Sequence, residues 1–331
     1  MNAGGRSWIY RLGLPLSVSV GVLYAAEAAA QTAGIAWTAT PMAMTDPAPA
    51  PGGGAAGTAP PVEVNGLDSY FDNFFANAAA ARAEQPGWSS PLITTTSMLE
   101  NRVRVDVSQQ TAGNGQNITT LDGGKGVDLI VGPSQEIQVA AAPYIIKGDT
   151  TKGTGSLAGW NDWPIFRFKQ RLLSSPADQG NYVLSAWVQL QIPTGQGRLT
   201  SHALTVVPTL GGGKGWGDFD IQATVGASLP TAHVDKIGDS VVGNVAFQYR
   251  VFRVLWPQVE FSWNYYADGP RGGLSQLYVT PGLVVGRLAL GRRLNATFGV
   301  GYESALTPSY RAKPLTPSFN HGVVATTRIS F

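Results

Sequence analysis

The 331-residue sequence has no cysteine, three histidines and only 13% charged residues. Without cysteine there is no disulfide, no thiolate metal site and no thiol for lipid attachment, so export to an oxidising compartment carries no mispairing hazard. The charged share is about half that of ordinary soluble domains. A formal net charge of +2 made from scattered basic residues leaves no nucleic-acid footprint. Histidine scarcity limits acid–base chemistry: Ser201 adjoins His202, but neighbours on a strand point to opposite faces, while His233 falls in a loop and His321 at a strand end. Asp149, Asp162, Asp235 and Asp239 lack the spacing of a Ca²⁺ loop. No enzyme, cofactor or metal site is expected. Beyond the N-terminus no run approaches the roughly twenty apolar residues of a spanning helix.

What the chain does have is 41 Gly, 11 Tyr, 12 Phe and 9 Trp within a 44% hydrophobic composition, which suits many short strands, tight turns and interfacial aromatics. Arg6 and Arg11 precede an apolar run from Leu12 to Ala26, and Ala28 to Ala30 offer a small-residue cleavage site, so residues 1–30 read as a signal peptide. Residues 31–63, rich in Ala, Pro and Gly, read as a disordered linker. Over residues 64–90 Leu67, Tyr70, Phe71, Phe74, Phe75 and Ala78 recur at helical spacing, Asp68 or Ser69 can cap the start, and Pro86 with Gly87 stops it. Such an amphipathic helix could rest on a barrel mouth, dock inside the barrel or lie at the membrane interface.

From residue 91 onward the period changes to two. Tyr182, Leu184, Ala186 and Val188 oppose Ser185 and Gln189; Phe219, Ile221, Ala223 and Val225 oppose Asp220, Gln222 and Thr224; Phe298, Val300 and Tyr302 oppose Gly299 and Glu303. The last segment alternates Val323, Ala325 and Ile329 with Gly322, Thr326, Arg328 and Ser330 and closes on Phe331. Strands are predicted at 94–109, 118–131, 135–146, 163–174, 181–193, 203–210, 217–230, 241–253, 256–266, 275–289, 292–303 and 319–331. About twelve strands joined by alternately short and long connections predict an all-β fold: a closed antiparallel transmembrane β-barrel over residues 91–331, preceded by the short helix. A soluble sandwich also alternates, but it does not explain an export signal, aromatics at strand ends and an apolar aromatic terminus. GGGKGWGD (211–218) lacks the Lys-Ser/Thr pair and following helix of a phosphate loop and reads as a periplasmic turn, with Trp216 as an interfacial anchor.

The barrel region resembles the MetA-pathway phenol-degradation family of exported barrel proteins, usually called transporters. The likeness rests on QPGWSSPLITTTSMLENRVRVD, FRFKQRLLS followed by QLQIPTG, PTLGGGKGWGDFDIQATVGASLPT, VTPGLVVGR and the final RISF, across nearly all of residues 64–331. It implies an outer-membrane barrel and passage of aromatic or hydrophobic compounds, without a mapped site.

Charged side chains on barrel strands belong on the lumen face. That rule turns Arg102, Arg104, Asp106, Arg167, Lys169, Arg171, Asp220, Arg250, Glu260, Glu303 and Arg328 inward. The set lines a pore favouring anions or polar aromatics, or else fills the interior with ion pairs. Arg167, Lys169 and Arg171 form one column of like charge that needs acidic neighbours, an anionic solute or lipopolysaccharide phosphate. Expected partners are outer-membrane lipid and lipopolysaccharide, the barrel-assembly machinery reading Phe331, and a small solute. Two functions follow: a passive conduit, or a non-transporting barrel with the N-terminal arm as its interaction module.

Overall fold

The computed structural model describes residues 73–148, 156–291, 293–307 and 319–331. The predicted signal peptide, the predicted linker and the start of the predicted helix lie outside the described residues.

Every described strand joins one antiparallel sheet, and pairing of the first with the last closes it. Three barrel staves are broken in two. β2 (Asn117–Leu121) and β3 (Gly126–Ile130) both pair with β1 (Arg102–Thr111); the chain between them turns through Asp122, Gly123 and Gly124, all at positive φ. β4 (Gln135–Ala140) and β5 (Tyr144–Lys147) form the next stave, interrupted at Pro143, which has no N–H for the ladder. β6 (Leu157–Trp160) and β7 (Trp163–Ser175) form the fourth. β8 (Tyr182–Ile192), β9 (Thr205–Trp216), β10 (Phe219–Pro230), β11 (Ser240–Tyr249), β12 (Leu255–Tyr266), β13 (Ser275–Ala289), β14 (Asn295–Thr307) and β15 (His321–Ser330) are unbroken. The result is a closed twelve-stave barrel.

Short connections at 131–134, 176–181, 217–218, 250–254 and 290–294 gather at one end, here the turn end, together with the start of β1 and Phe331. The longer connections define the loop end. Period-two alternation places Val300, Phe298, Val225, Leu172 and Phe168 on the outer surface, where Val225 and Val300 are each about half exposed (50% and 51%). Aromatic residues concentrate near both rims of this apolar surface: Trp216 stacks on Phe219 at the turn end, and Trp263 stacks on Tyr265 toward the loops.

Besides the breaks within the predicted strands 118–131 and 135–146, and β6, which falls in the predicted connection before 163, two further strand expectations change. Residues 94–101 are not part of the wall, which begins at Arg102 opposite Ser330. Residues 211–216 are not a turn: they complete β9, and the hairpin is the two-residue Gly217-Asp218, with Gly217 at φ +63°. Helix α1 (Phe74–Ala83) ends before Pro86, as its spacing predicts, and buries only Ala78 and Ala81 against Leu99 and Ile130. A four-residue turn of helix, α2 (Val234–Ile237), sits in one long loop.

Candidate functional site: a lumen occupied by its own N-terminal segment

Between α1 and β1, residues 84–101 run into the barrel from the turn end and back out again. The segment has no ladder of its own, so every buried amide and carbonyl needs another partner. The inward charged and amide side chains of the wall supply them. At its tip, Glu260 accepts the backbone N–H groups of Leu92 (2.7 Å), Ile93 (2.9 Å) and Thr94 (2.6 Å). On the other edge, Arg328 donates to the carbonyls of Ser90 and Pro91, the latter at 2.6 Å, and Arg104 donates to that of Leu92 at 2.5 Å. Further down, Gln222 donates to the Ser89 carbonyl (2.9 Å), Ser185 to that of Ser97 (2.6 Å), Lys169 to that of Met98 (2.9 Å) and Arg171 to that of Ala81 (2.6 Å). Gln85 and Leu99 bond each other reciprocally, side chain to backbone, at 2.8 and 2.9 Å, joining the ingoing and outgoing limbs.

Shape complements this polarity. Leu92 sits with Trp256, Val284 and Val324 over a floor of glycines. A Cβ at Gly282 or Gly299 would stand 2.5 Å from a Leu92 methyl, and one at Gly301 2.8 Å away. Trp88 packs with Met98 and Val183, and Cβ atoms at Gly213 and Gly215 would each come within 2.6 Å of its indole. Five lumen-facing glycines thus make space for two side chains of the inserted segment, the close approach for which a glycine is needed.

The wall charges are themselves paired. Asp128 accepts from Arg102 (2.6 Å) and Arg167 (3.0 Å), Glu136 meets Lys169 at 2.8 Å, and Arg171 meets Glu84 of the inserted segment at 2.8 Å. Each member of the Arg167, Lys169, Arg171 column therefore faces a carboxylate. Lys169 also lies 5.8 Å over the Trp187 ring, a cation–π distance. Arg104 grips Asp106 through two bonds of 2.8 and 2.7 Å, and Thr326 donates to the same carboxylate. Gln222, Gln248, Gln258 and Glu260 form a chain of side chains spaced 2.9, 2.5 and 2.7 Å across adjacent strands. On the inserted segment, Glu100 pairs with Arg102 and accepts from Ser90 (2.6 Å). Burial alone would raise the Glu100 carboxyl, but the Arg102 guanidinium and the Ser90 hydroxyl outweigh it and hold the group below its ordinary range.

Toward the loop end the lumen changes character. Ser108, Gln110, Asn244, Ser262 and Asn264 are half-buried, uncharged and inward-facing, and Glu303 is buried against Gln110 (2.9 Å). The inserted segment occupies the half of the lumen near the turns, and these inward side chains near the loops are polar.

No protein-family profile and no curated protein matches the chain. Solved structures do. An outer membrane channel from Pseudomonas putida F1 is 12% identical over 70% of this chain and 96% of its own, with a TM-score of 0.48. The NanC porin is 8% identical over 69% and 98% (TM-score 0.41), and the beta domain of the Bordetella autotransporter BrkA 16% identical over 70% and 99% (TM-score 0.41).

Of the residues singled out by alternation, Arg102, Arg104, Asp106, Arg167, Lys169, Arg171, Asp220, Glu260, Glu303 and Arg328 are all buried inside the barrel. Arg250 is not: it lies just past β11 at the turn-end rim, half exposed, paired with Asp218. Phe331 is half-buried at that rim, its N–H donating to Asn101 and its carbonyl oxygen accepting from Arg82. Asp162 is a loop anchor that accepts from the Ser201 hydroxyl and from the Gly195 and Ser201 amides, and His321 stacks on Tyr302. Among the described residues no cluster of His, Asp or Glu is arranged to hold a metal.

Three participants escape the alternation rule. Asp128 and Glu136 sit in strands of five and six residues, short enough to hide their parity. Arg287 has the parity of the outer face, but a bulge between Val285 and Leu288 sets two residues against Thr297 and turns Arg287 inward, with φ +59°, where it donates to the Trp88 carbonyl at 2.5 Å. An arginine on the apolar face of a strand is itself the signal of such a bulge.

Proposed function

We propose that this chain is an outer-membrane conduit for small solutes, held closed from the periplasmic side by its own residues 84–101. The exposed apolar surface with its aromatic rims supports a hydrocarbon surrounding, with the turn end and Phe331 periplasmic and the loop end facing outward. The observation that carries the reading is the manner of closure. The inserted segment is not welded into a continuous apolar core: one wall carboxylate holds its tip by three amides, and two arginines hold the adjacent carbonyls. Such a plug can be exchanged for water and solute without leaving a dry void. Passage of aromatic or hydrophobic solutes follows from the family resemblance. Phe331 is proposed as the mark read by the assembly machinery, residues 1–30 as the export signal, and lipid and lipopolysaccharide as the surrounding partners. No catalytic role is assigned.

Glu260→Gln tests this. Removing the charge weakens three charge-assisted bonds, each worth about 1.5–3 kcal/mol, so a net shift of about 2 kcal/mol toward the open form is expected, roughly 30-fold in population. Liposome swelling with small sugars and aromatic acids should be low for the parent chain and clearly raised for the variant. Swelling no faster than empty vesicles for both proteins would favour the non-transporting barrel, for which the occupied turn-end half of the lumen is the supporting observation.

A further inference from the structure

At the turn end, a cavity of about 270 Å³ separates the inserted segment from the β13–β15 wall. That is just under the roughly 300–1,000 Å³ of drug-sized ligand pockets, so a small molecule fits it. Three guanidinium groups line it, those of Arg82, Arg287 and Arg328, against one carboxylate, Glu100, which Arg102 and Ser90 already occupy. Arg328 directs donors to the Ser90 and Pro91 carbonyls and Arg82 one to the terminal oxygen of Phe331, and among the described residues none of the three forms an ion pair with an acidic side chain. Arg287 lines this cavity and spends one donor on the Trp88 carbonyl.

Its placement is costly. A non-glycine residue at φ +59° in a strand bulge stores backbone strain, and the bulge brings to the cavity a cation that regular pairing would direct outward. Beside the arginines, Trp88, Met98 and Leu99 give the cavity an apolar side. We propose that this cavity binds a small organic monocarboxylate, its carboxylate on the Arg287 fork and its apolar body along Trp88. A planar guanidinium presents paired donors that match a carboxylate, and Arg287 and Arg328 have no acidic side chain paired with them until an anion arrives. Thr297, which lines the same wall, adds a hydroxyl at the rim. The site does not depend on whether the barrel conducts.

Isothermal titration of the full chain in detergent with benzoate, and with benzamide as its neutral counterpart, tests the assignment. Saturable benzoate binding, at least tenfold weaker in Arg287→Gln and absent for benzamide, is the expected result. Equal benzoate affinity in the variant, no saturable binding, or equal binding of benzamide overturns it. Because Arg287→Gln removes a contact to the inserted segment, its fold is checked by heat-modifiable mobility, and a second measurement uses the parent chain alone. Benzoate should slow phenylglyoxal modification of Arg287, read by mass spectrometry, more than inorganic phosphate does. Modification at the same rate with or without benzoate, or equal protection by phosphate, overturns the organic carboxylate.

Discussion

Leu92 of the inserted segment seats against Gly282 and Gly299 of the wall with no room for a side chain at either. A methyl group at 299 would stand 2.5 Å from Leu92 and 2.9 Å from Thr326, so Gly299→Ala should destabilise the seated tip by about 1–3 kcal/mol through overpacking. Leu92→Ala should cost about 2–5 kcal/mol by leaving a cavity. Combined, they should cost less than their sum by about 1 kcal/mol or more, since the smaller side chain makes room for the added methyl. Hydrogen exchange of the amides at 92–94 measures this coupling; strict additivity would mean that the two groups do not meet. At this scale much was legible from the sequence. Strict alternation is enough to turn Glu260, Arg104 and Arg328 inward, because a lone charge on a lipid-facing surface is too costly. What those charges hold was not legible: Glu260 binds backbone amides 166–168 residues away, and an amide carries no sequence signature. Arg287 was missed for a different reason, since one extra residue in a strand inverts the parity on which the reading depends.

At the scale of the element, residues 84–101 are extended without being a strand. ITTTSML (93–99) is rich in β-branched and apolar residues, so its composition resembles a membrane stave, and the predicted wall began there, eight residues before Arg102, where it does begin. Local preference fixes extended backbone; which partner satisfies it is a tertiary matter. The glycines of 211–215 misled in the same way. They read as backbone freedom for a turn, but Gly213 and Gly215 serve as missing side chains under Trp88 and Gly211 makes the same room for Trp187 and Ser97. The inserted segment also carries a pH dependence. Because Glu100 is held below its ordinary range in the folded state, it contributes stability that is fully present above the ordinary glutamate pKa of about 4.3 and is lost as pH falls through the lower folded value. Hydrogen exchange of residues 96–101 should therefore be faster below about pH 4 than at pH 7 after correction for intrinsic rates. Glu100→Gln should remove that extra step. An identical pH response in the parent and the variant would assign the step to other carboxylates.

For the whole molecule, the closed barrel, its stave number, its short and long ends and the seam at the terminus were written in the strand pattern, because a wall apolar outside and polar inside obliges every stave to alternate. The state of the lumen was not written there. The same inward charges serve an open pore or a packed interior, and only their partners distinguish the two. Here the partners are the backbone of residues 81–99 and the acids Glu84, Asp128 and Glu136. The absence of cysteine from the chain makes the central claim directly accessible. The Ser97→Cys, Ser185→Cys variant puts thiols at the two positions where the Ser185 hydroxyl now meets the Ser97 carbonyl at 2.6 Å, and oxidation, with the bond verified by mass spectrometry, ties the inserted segment to β8. Single-channel recording in planar bilayers should find the oxidised protein silent and show openings after addition of reductant. Equal conductance in the oxidised and reduced states would contradict closure by residues 84–101.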